Sequence, residues 1–215
     1  MIQKGLLFVV SGPSGVGKST LCKTMVAQVP QTMLSVSFTT RGPRPDEQDG
    51  VDYCFIRESR FREMIQRDQF VEWAEVYGNL YGTPQRQLDE AMSQSTDVLL
   101  DIDAQGARQI MKRFPGAVYV FVTPPSLEAL RTRLCGRALD SSDVIQRRLQ
   151  SASEEIANFR SYHYLIRNEE LTKATKELES IICAERVKTE RLNTQWLRQK
   201  GLIEEPTIKE NSTIV

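Results

Sequence analysis

Eight consecutive residues, Gly12-Pro-Ser-Gly-Val-Gly-Lys-Ser19, constrain this chain more than any other feature, because they match the pattern G-x-x-x-x-G-K-[ST] at every fixed position. The chemistry asks for each of them. Gly12, Gly15 and Gly17 permit backbone conformations that a side chain would block, so successive amide N–H groups can turn inward around phosphate oxygens. Lys18 supplies a point charge for the β and γ phosphates, and the Ser19 hydroxyl is a ligand for a phosphate-bound cation. Leu6–Val10 reads as a buried strand, and Ser19–Val29 as a helix with Leu21, Met25 and Val29 on one face. Strand, loop, helix is the order such a motif requires, and it makes a chance glycine-rich turn the weaker alternative.

The rest of the chain extends that start. Short aliphatic runs at 98–102, 118–123 and 164–166 look like parallel strands buried on both faces. Helical patterns lie between and after them, at 104–113, 126–136, 143–160 and 170–199. Alternating strands and helices predict an α/β fold, a parallel sheet flanked by helices in three layers. Residues 37–91 differ in texture, with alternating runs at 35–39, 53–56 and 70–76, a helix near 59–67, and Gly/Pro turns at 42–45, 50, 78 and 82–84. This segment is expected to be an inserted mixed β lobe. An arginine-rich stretch, 133–149, reads as a second insertion forming a small helical lid. The core is then 1–36, 92–132 and 150–200, followed by a flexible tail at 201–215. Leu171, Ala174, Leu178, Ile181 and Ile182 fall at helical spacing for packing on the core, and the continuation past Arg186 offers a surface for a homo-oligomer.

Composition excludes several classes. Lys plus Arg number 28 and Asp plus Glu 28, so no net field draws the chain to nucleic acid or a membrane surface. No apolar run approaches the ~20 residues that span a bilayer. Four cysteines without C-x-x-C spacing, and no signal-peptide pattern at the start, fit reduced thiols and a cytoplasmic location. His163 is the single histidine, which removes Ser-His-Asp and Cys-His catalysis and any histidine-rich metal site.

A phosphate loop alone does not separate a GTPase, a motor and a kinase. Asp101 ends an apolar run at a position from which a carboxylate can support a magnesium ion or its waters. No N-K-x-D guanine motif is present. The inserted lobe instead carries Arg41 and Arg44 on a turn stiffened by Pro43 and Pro45, two guanidinium forks able to clamp one phosphate monoester. Tyr53 and Tyr81 can donate hydroxyls to the same oxygens. Glu72 lies in an alternating run beside Trp73; a carboxylate accepts two parallel N–H bonds, the pair that guanine presents and adenine does not. Ser37 and Thr83 can donate to a purine O6, and Asp103 can accept from the exocyclic amine. Thr83-Pro84 also reads as a helix start with Thr83 as N-cap.

At this point the sequence resembles the guanylate kinase family. The likeness rests on Ser11–Thr20, Ser37-Phe-Thr-Thr-Arg-Gly-Pro-Arg44, Gly50-Val-Asp-Tyr53, Phe70-Val-Glu-Trp73, Tyr81-Gly-Thr83, Asp101-Ile-Asp-Ala-Gln-Gly106, and Arg133-Leu-Cys-Gly-Arg137 with Arg148, in that order across residues 5–186. The resemblance implies transfer of the γ-phosphate of ATP to GMP, and to dGMP, in purine nucleotide metabolism and GMP recycling, with Mg²⁺ accompanying ATP. It implies that Gly12, Ser14, Gly15, Val16, Gly17, Lys18, Ser19 and Thr20 hold the ATP phosphates, with Ser19 at the metal. Ser37, Glu72, Thr83 and Asp103 would read guanine, while Arg41, Arg44, Tyr53 and Tyr81 would hold the GMP phosphate. Lys18, Arg133, Arg137, Arg148 and Asp101 would form the catalytic set. Two positions depart from the family pattern: Ala138 stands where the lid commonly has glycine, and Arg167 stands before Asn168 where valine is usual. Other readings on the same frame are a kinase for a different phosphorylated acceptor and a non-catalytic module that binds phosphopeptides. An intact Lys18 and Ser19 argue against the latter, and the guanine-reading set against the former.

Overall fold

Strand β1, Leu7–Ser11, is buried along its whole length, and its two faces explain the layering of the molecule. Phe8 and Val10 point to one side, where they meet Leu21, Met25, Ala174, Leu178 and Ile182. Leu7 and Val9 point to the other, against Leu88, Ala107 and Ile110. A strand with apolar residues on both faces needs helices on both faces, as in other parallel sheets. The structure, a computed structural model, describes residues 4–136, 142–191 and 194–204. Arg137, Ala138 and most of the expected tail (205–215) lie outside the described residues.

The parallel sheet has the order β2-β7-β1-β8-β9, formed by Thr32–Leu34, Asp97–Asp101, β1, Val118–Thr123 and Tyr164–Arg167. Helices α1 (Lys18–Gln28) and α7 (Leu171–Arg186) cover one face, and α3 (Gln85–Ser93) and α4 (Ala104–Arg113) the other. Helices α5 (Leu127–Cys135) and α6 (Ser142–Ala157) pack together through Leu130, Leu134 and Ala152. The α/β class expected from the sequence is the observed one.

The inserted sheet has the order β4-β3-β6-β5, from Cys54–Phe55, Phe38–Thr39, Asn79–Pro84 and Phe70–Val76. Its β3/β4 pair is parallel and the others antiparallel, so the expected mixed sheet is present. Its apolar centre is small: Phe61 and Met64 of α2 (Glu58–Gln66), with Phe70 and Leu80. Strand β5 lies at the sheet edge, and side chains of α4 occupy its open backbone groups. Gln109 accepts from the Trp73 amide and donates to its carbonyl, and Arg113 donates to the carbonyls of Phe70 and Val71. Residues four apart on one helix face thus meet residues two apart on one strand edge.

The observed elements differ from the sequence reading in four places. The run at 35–39 contributes only Phe38–Thr39 to the lobe, while the preceding Thr32–Leu34 pairs with β7 at the edge of the core sheet. The expected turn at 82–84 is strand β6; Gly82 is there because a Cβ would lie 2.9 Å from both the Phe61 and Phe70 rings. Helix α3 follows the helix start read at Thr83-Pro84, but its extent was not read, because only Leu88 and Ala91 are buried. The single helix expected over 170–199 ends at Arg186, where the stripe that packs on the core runs out, and α8 (Gln195–Gln199) is separate.

Candidate active site

The phosphate loop leaves β1 at the sheet's centre and delivers its last residues into α1. Gly12, Gly15 and Gly17 adopt φ of 144°, 85° and 96°, a region that side chains disfavour. Two of them are also fixed by close approach. A Cβ on Gly12 would fall 2.1 Å from the Val122 carbonyl oxygen, and one on Gly17 would fall 2.6 Å from Asn168 Nδ2. No side chain caps α1, whose N-cap is Gly17, so its first amides keep their donors for a ligand. Lys18 Nζ donates to the carbonyls of Gly12 and Pro13, at 2.7 and 3.2 Å, lying across the loop. Ser19 Oγ donates to Asp101 Oδ2 at 2.5 Å, bringing together the two oxygen ligands expected at a cation.

A second layer holds the loop from behind. Asn168 Nδ2 donates to the Val16 carbonyl at 2.8 Å, and Arg133 donates to that carbonyl and to the carbonyl of Asn168, at 3.1 and 2.8 Å. Val16 is wholly buried and presents its backbone, while Arg133 does not line the cleft. Asn168 entered the sequence analysis only as a position of the family pattern; its bracing role was not read, since only the fold brings the end of β9 beneath the loop.

Opposite the loop stands the lobe. Arg41 Nε donates to the Tyr81 hydroxyl at 3.2 Å, and its Nη2 pairs with Glu47 at 2.8 Å. Its guanidinium carbon lies 5.4 Å from the Tyr53 ring centroid. Glu47 also accepts from the Arg44 amide and sits 3.6 Å from that guanidinium. Burial works against the Glu47 carboxylate, but the hydrogen bonds from Arg41 and the Arg44 amide hold its pKa below the ordinary value. Glu47 thus orients both arginines; its place three residues after Arg44 was the available signal. Burial pushes the Tyr53 phenol up, so it remains a donor at neutral pH.

Glu72, on β5, is 5 % exposed. Burial raises its pKa to about 7, against the stabilising bond that Oε1 accepts from Thr83 Oγ1. Thr83 therefore supports Glu72 from β6 and does not cap α3, whose N-cap residue is Pro84. The second carboxylate oxygen lies where a side chain of Gly106 would go: a Cβ there would be 2.5 Å from Glu72 Oε2. Asp103 caps α4, accepting from the Gly106 amide at 2.8 Å, and one face of it lines the cleft.

The two walls enclose one cleft of ≈ 820 Å³. It brings together Gly12, Ser14, Gly15, Gly17, Lys18, Ser19, Thr20, Asp101 and Asp103 of the core with Ser37, Arg41, Arg44, Tyr53, Glu72 and Tyr81 of the lobe, and with Arg148 of α6. Val16, Thr83 and Arg133 stand behind this lining, and Arg137 lies outside the described residues. Lys23 of α1 pairs with Asp52 of the lobe, a link across the cleft that the sequence did not reveal. His163 is apart from the site, beneath Tyr119, whose amide donates to its Nδ1.

Among the described residues, no group of three His, Cys, Asp or Glu could hold a metal ion by itself, and no helix is long and apolar enough to cross a membrane.

Comparison with known proteins places this arrangement. A family profile described as guanylate kinase matches residues 4–185. A guanylate kinase of Geobacter sulfurreducens is 50% identical over 192 residues, covering 89% of this chain and 95% of its own. One of Carboxydothermus hydrogenoformans is 46% identical over 203 residues, covering 94% and 100%. The crystal structure of a guanylate kinase from Anaplasma phagocytophilum superposes with a TM-score of 0.79 at 32% identity, covering 94% of this chain and 98% of that one. Sequence and fold therefore agree that the chain belongs to the guanylate kinase family.

Proposed function

We propose that the cleft seats ATP on the phosphate loop and GMP against the lobe and passes the γ-phosphoryl group between them, so that the chain works as an ATP:GMP phosphotransferase. The observation that carries this reading is the pairing, in one cleft, of a complete phosphate loop with the buried Glu72 carboxyl held by Thr83. Glu72, Ser37 and Asp103 read guanine, and Thr83, expected to join them, acts from behind the lining by holding the Glu72 carboxyl. Arg41, Arg44, Tyr53 and Tyr81 bind the acceptor phosphate. dGMP serves as a second acceptor on the same contacts.

The acceptor needs no general base, because a phosphate with a second pKa near ~6 is mostly an oxyanion at neutral pH. Catalysis then rests on alignment and on neutralising charge in a water-poor cleft. Lys18 and Arg148, with Arg137, supply that positive charge, while Arg133, expected in the same set, braces the loop from behind. Ser19 and Asp101 fit Mg²⁺: both are hard oxygen donors, they touch each other, and an ion that keeps waters and phosphate ligands needs only one or two protein oxygens. Ser19 and Asp101 would hold such an ion, which would supply neutralising positive charge beside the phosphates. The test is ADP release from ATP and Mg²⁺ with GMP, AMP, CMP and UMP offered separately, beside an acceptor-free control. Fast release with GMP alone supports the proposal; release with another acceptor, or with none, overturns it.

A further inference from the structure

We propose that Tyr77, at the tip of the β5/β6 hairpin, is a positioning residue for Arg148 and makes placement of that arginine depend on the lobe. The inference rests on the reading that Arg148 serves the transferring phosphoryl group. Two independent observations carry it.

The first is backbone geometry. Val76 pairs with Asn79, so Tyr77-Gly78 is a two-residue turn, and both residues have positive φ, 51° and 77°. Such a turn matches the twist of the flanking strands and strongly favours Asn, Asp or Gly at its first position. A bulky aromatic in the left-handed region is an outlier, and outliers of this kind collect where function demands a particular side chain. Tyr77 is 54% exposed and stands outside the lobe's apolar centre.

The second is what the ring meets. The Arg148 guanidinium carbon stands 4.9 Å from the Tyr77 ring centroid, although Arg148 belongs to α6, on another wall of the cleft. Both residues line the cleft. The negative face of a phenol ring attracts the planar guanidinium and fixes the plane in which its forked donors point. A strained turn thus presents a ring to an arginine that the family resemblance places among the catalytic groups. The lobe that receives the acceptor carries the ring, so movement of the lobe moves the arginine's support.

The test compares steady-state kinetics and thermal midpoints of the full chain. Tyr77→Leu keeps a bulky side chain in the strained turn but removes the ring face. It is expected to lower kcat about five- to tenfold with KM for GMP within about twofold. Tyr77→Phe keeps the ring face and retains most of the turnover that Tyr77→Leu loses. Tyr77→Asn suits the turn, so its midpoint rises or holds while kcat falls as in Tyr77→Leu. A merely structural residue would show the opposite linkage, with activity following stability. In an Arg148→Ala background, which lowers kcat on its own, Tyr77→Leu has no further effect. Equal turnover of the Phe and Leu variants, or a Leu effect undiminished in the Arg148→Ala background, overturns the proposal. Full turnover by Arg148→Ala alone overturns the role given to that arginine, and with it the positioning of it by Tyr77.

Discussion

The core and the lobe place the two halves of one cleft by different physical means. On the core side, the shape of the loop is set by backbone, through left-handed glycines, a close approach to Val122 and a strand buried on both faces, and the side chains of Asn168 and Arg133 grip that backbone from behind. The lobe side has a small apolar cluster, and its site groups are held by other side chains, as Glu47 holds Arg41 and Thr83 holds Glu72. A backbone cradle has little freedom to vary, which suits a triphosphate common to many reactions. Side-chain scaffolding can be retuned one residue at a time, which suits the choice of acceptor.

The contrast breaks most visibly at Lys18. Lys18→Ala should reduce kcat by about 10²–10³-fold while KM for GMP stays nearly constant. Steady-state kinetics with each substrate varied decides it, and equal loss of acceptor affinity would mean that the walls are not separate in role.

Glu72→Gln replaces an acceptor pair with one donor and one acceptor, so preference for GMP over AMP should fall by roughly 10- to 100-fold in kcat/KM. The same residue gives a pH signature. Its folded pKa is raised to about 7, so its contribution to stability is complete below about pH 4.5 and is lost as pH rises to about 7. In the proposed recognition, guanine needs the ionised form, so KM for GMP should rise as pH falls from 8 to 6. The GMP phosphate titrates in the same range for both proteins, and the ratio of wild type to Glu72→Gln isolates the carboxyl. A flat ratio would place guanine recognition on other groups.

Gly106→Ala tests how tightly the lobe's side chains are set. The new methyl would displace Glu72 Oε2, the end of a flexible chain, while favouring helix α4 by up to about 1 kcal/mol. KM for GMP should rise about three- to tenfold with the thermal midpoint unchanged or higher. A lower midpoint would show that Glu72 cannot yield.

The smallest effect belongs to the lobe's anchorage. Gln109→Ala removes two hydrogen bonds to the open edge of β5 and should cost about 1 kcal/mol in stability. Hydrogen exchange should show faster opening in β5 than in β1. Uniform protection would mean that lobe and core open as one unit.

Legibility in the sequence follows the same division. Strands β1, β7 and β8 were readable because burial on both faces yields uninterrupted aliphatic runs, α4 because its one buried face repeats at helical spacing, and the loop because phosphate binding by backbone demands glycine at fixed spacing. Gly82 read as a turn because the rings of Phe61 and Phe70, distant in sequence, supply the reason for glycine there. Thr83 read as a helix cap because its partner Glu72 lies across a strand pair. Helix α3 was legible at its start, Thr83-Pro84, but not along its length, because its buried stripe is two residues wide.

What the sequence determined by itself was the α/β class, the phosphate loop and the residue types suited to reading a purine monophosphate, since each of these is written in local spacing. Only the tertiary structure decided that Asn168 and Arg133 brace the loop, that Gly106 makes room for Glu72, and that Tyr77 faces Arg148. Those relations join residues far apart in the chain, and contact geometry at that range comes from packing, which no local pattern encodes.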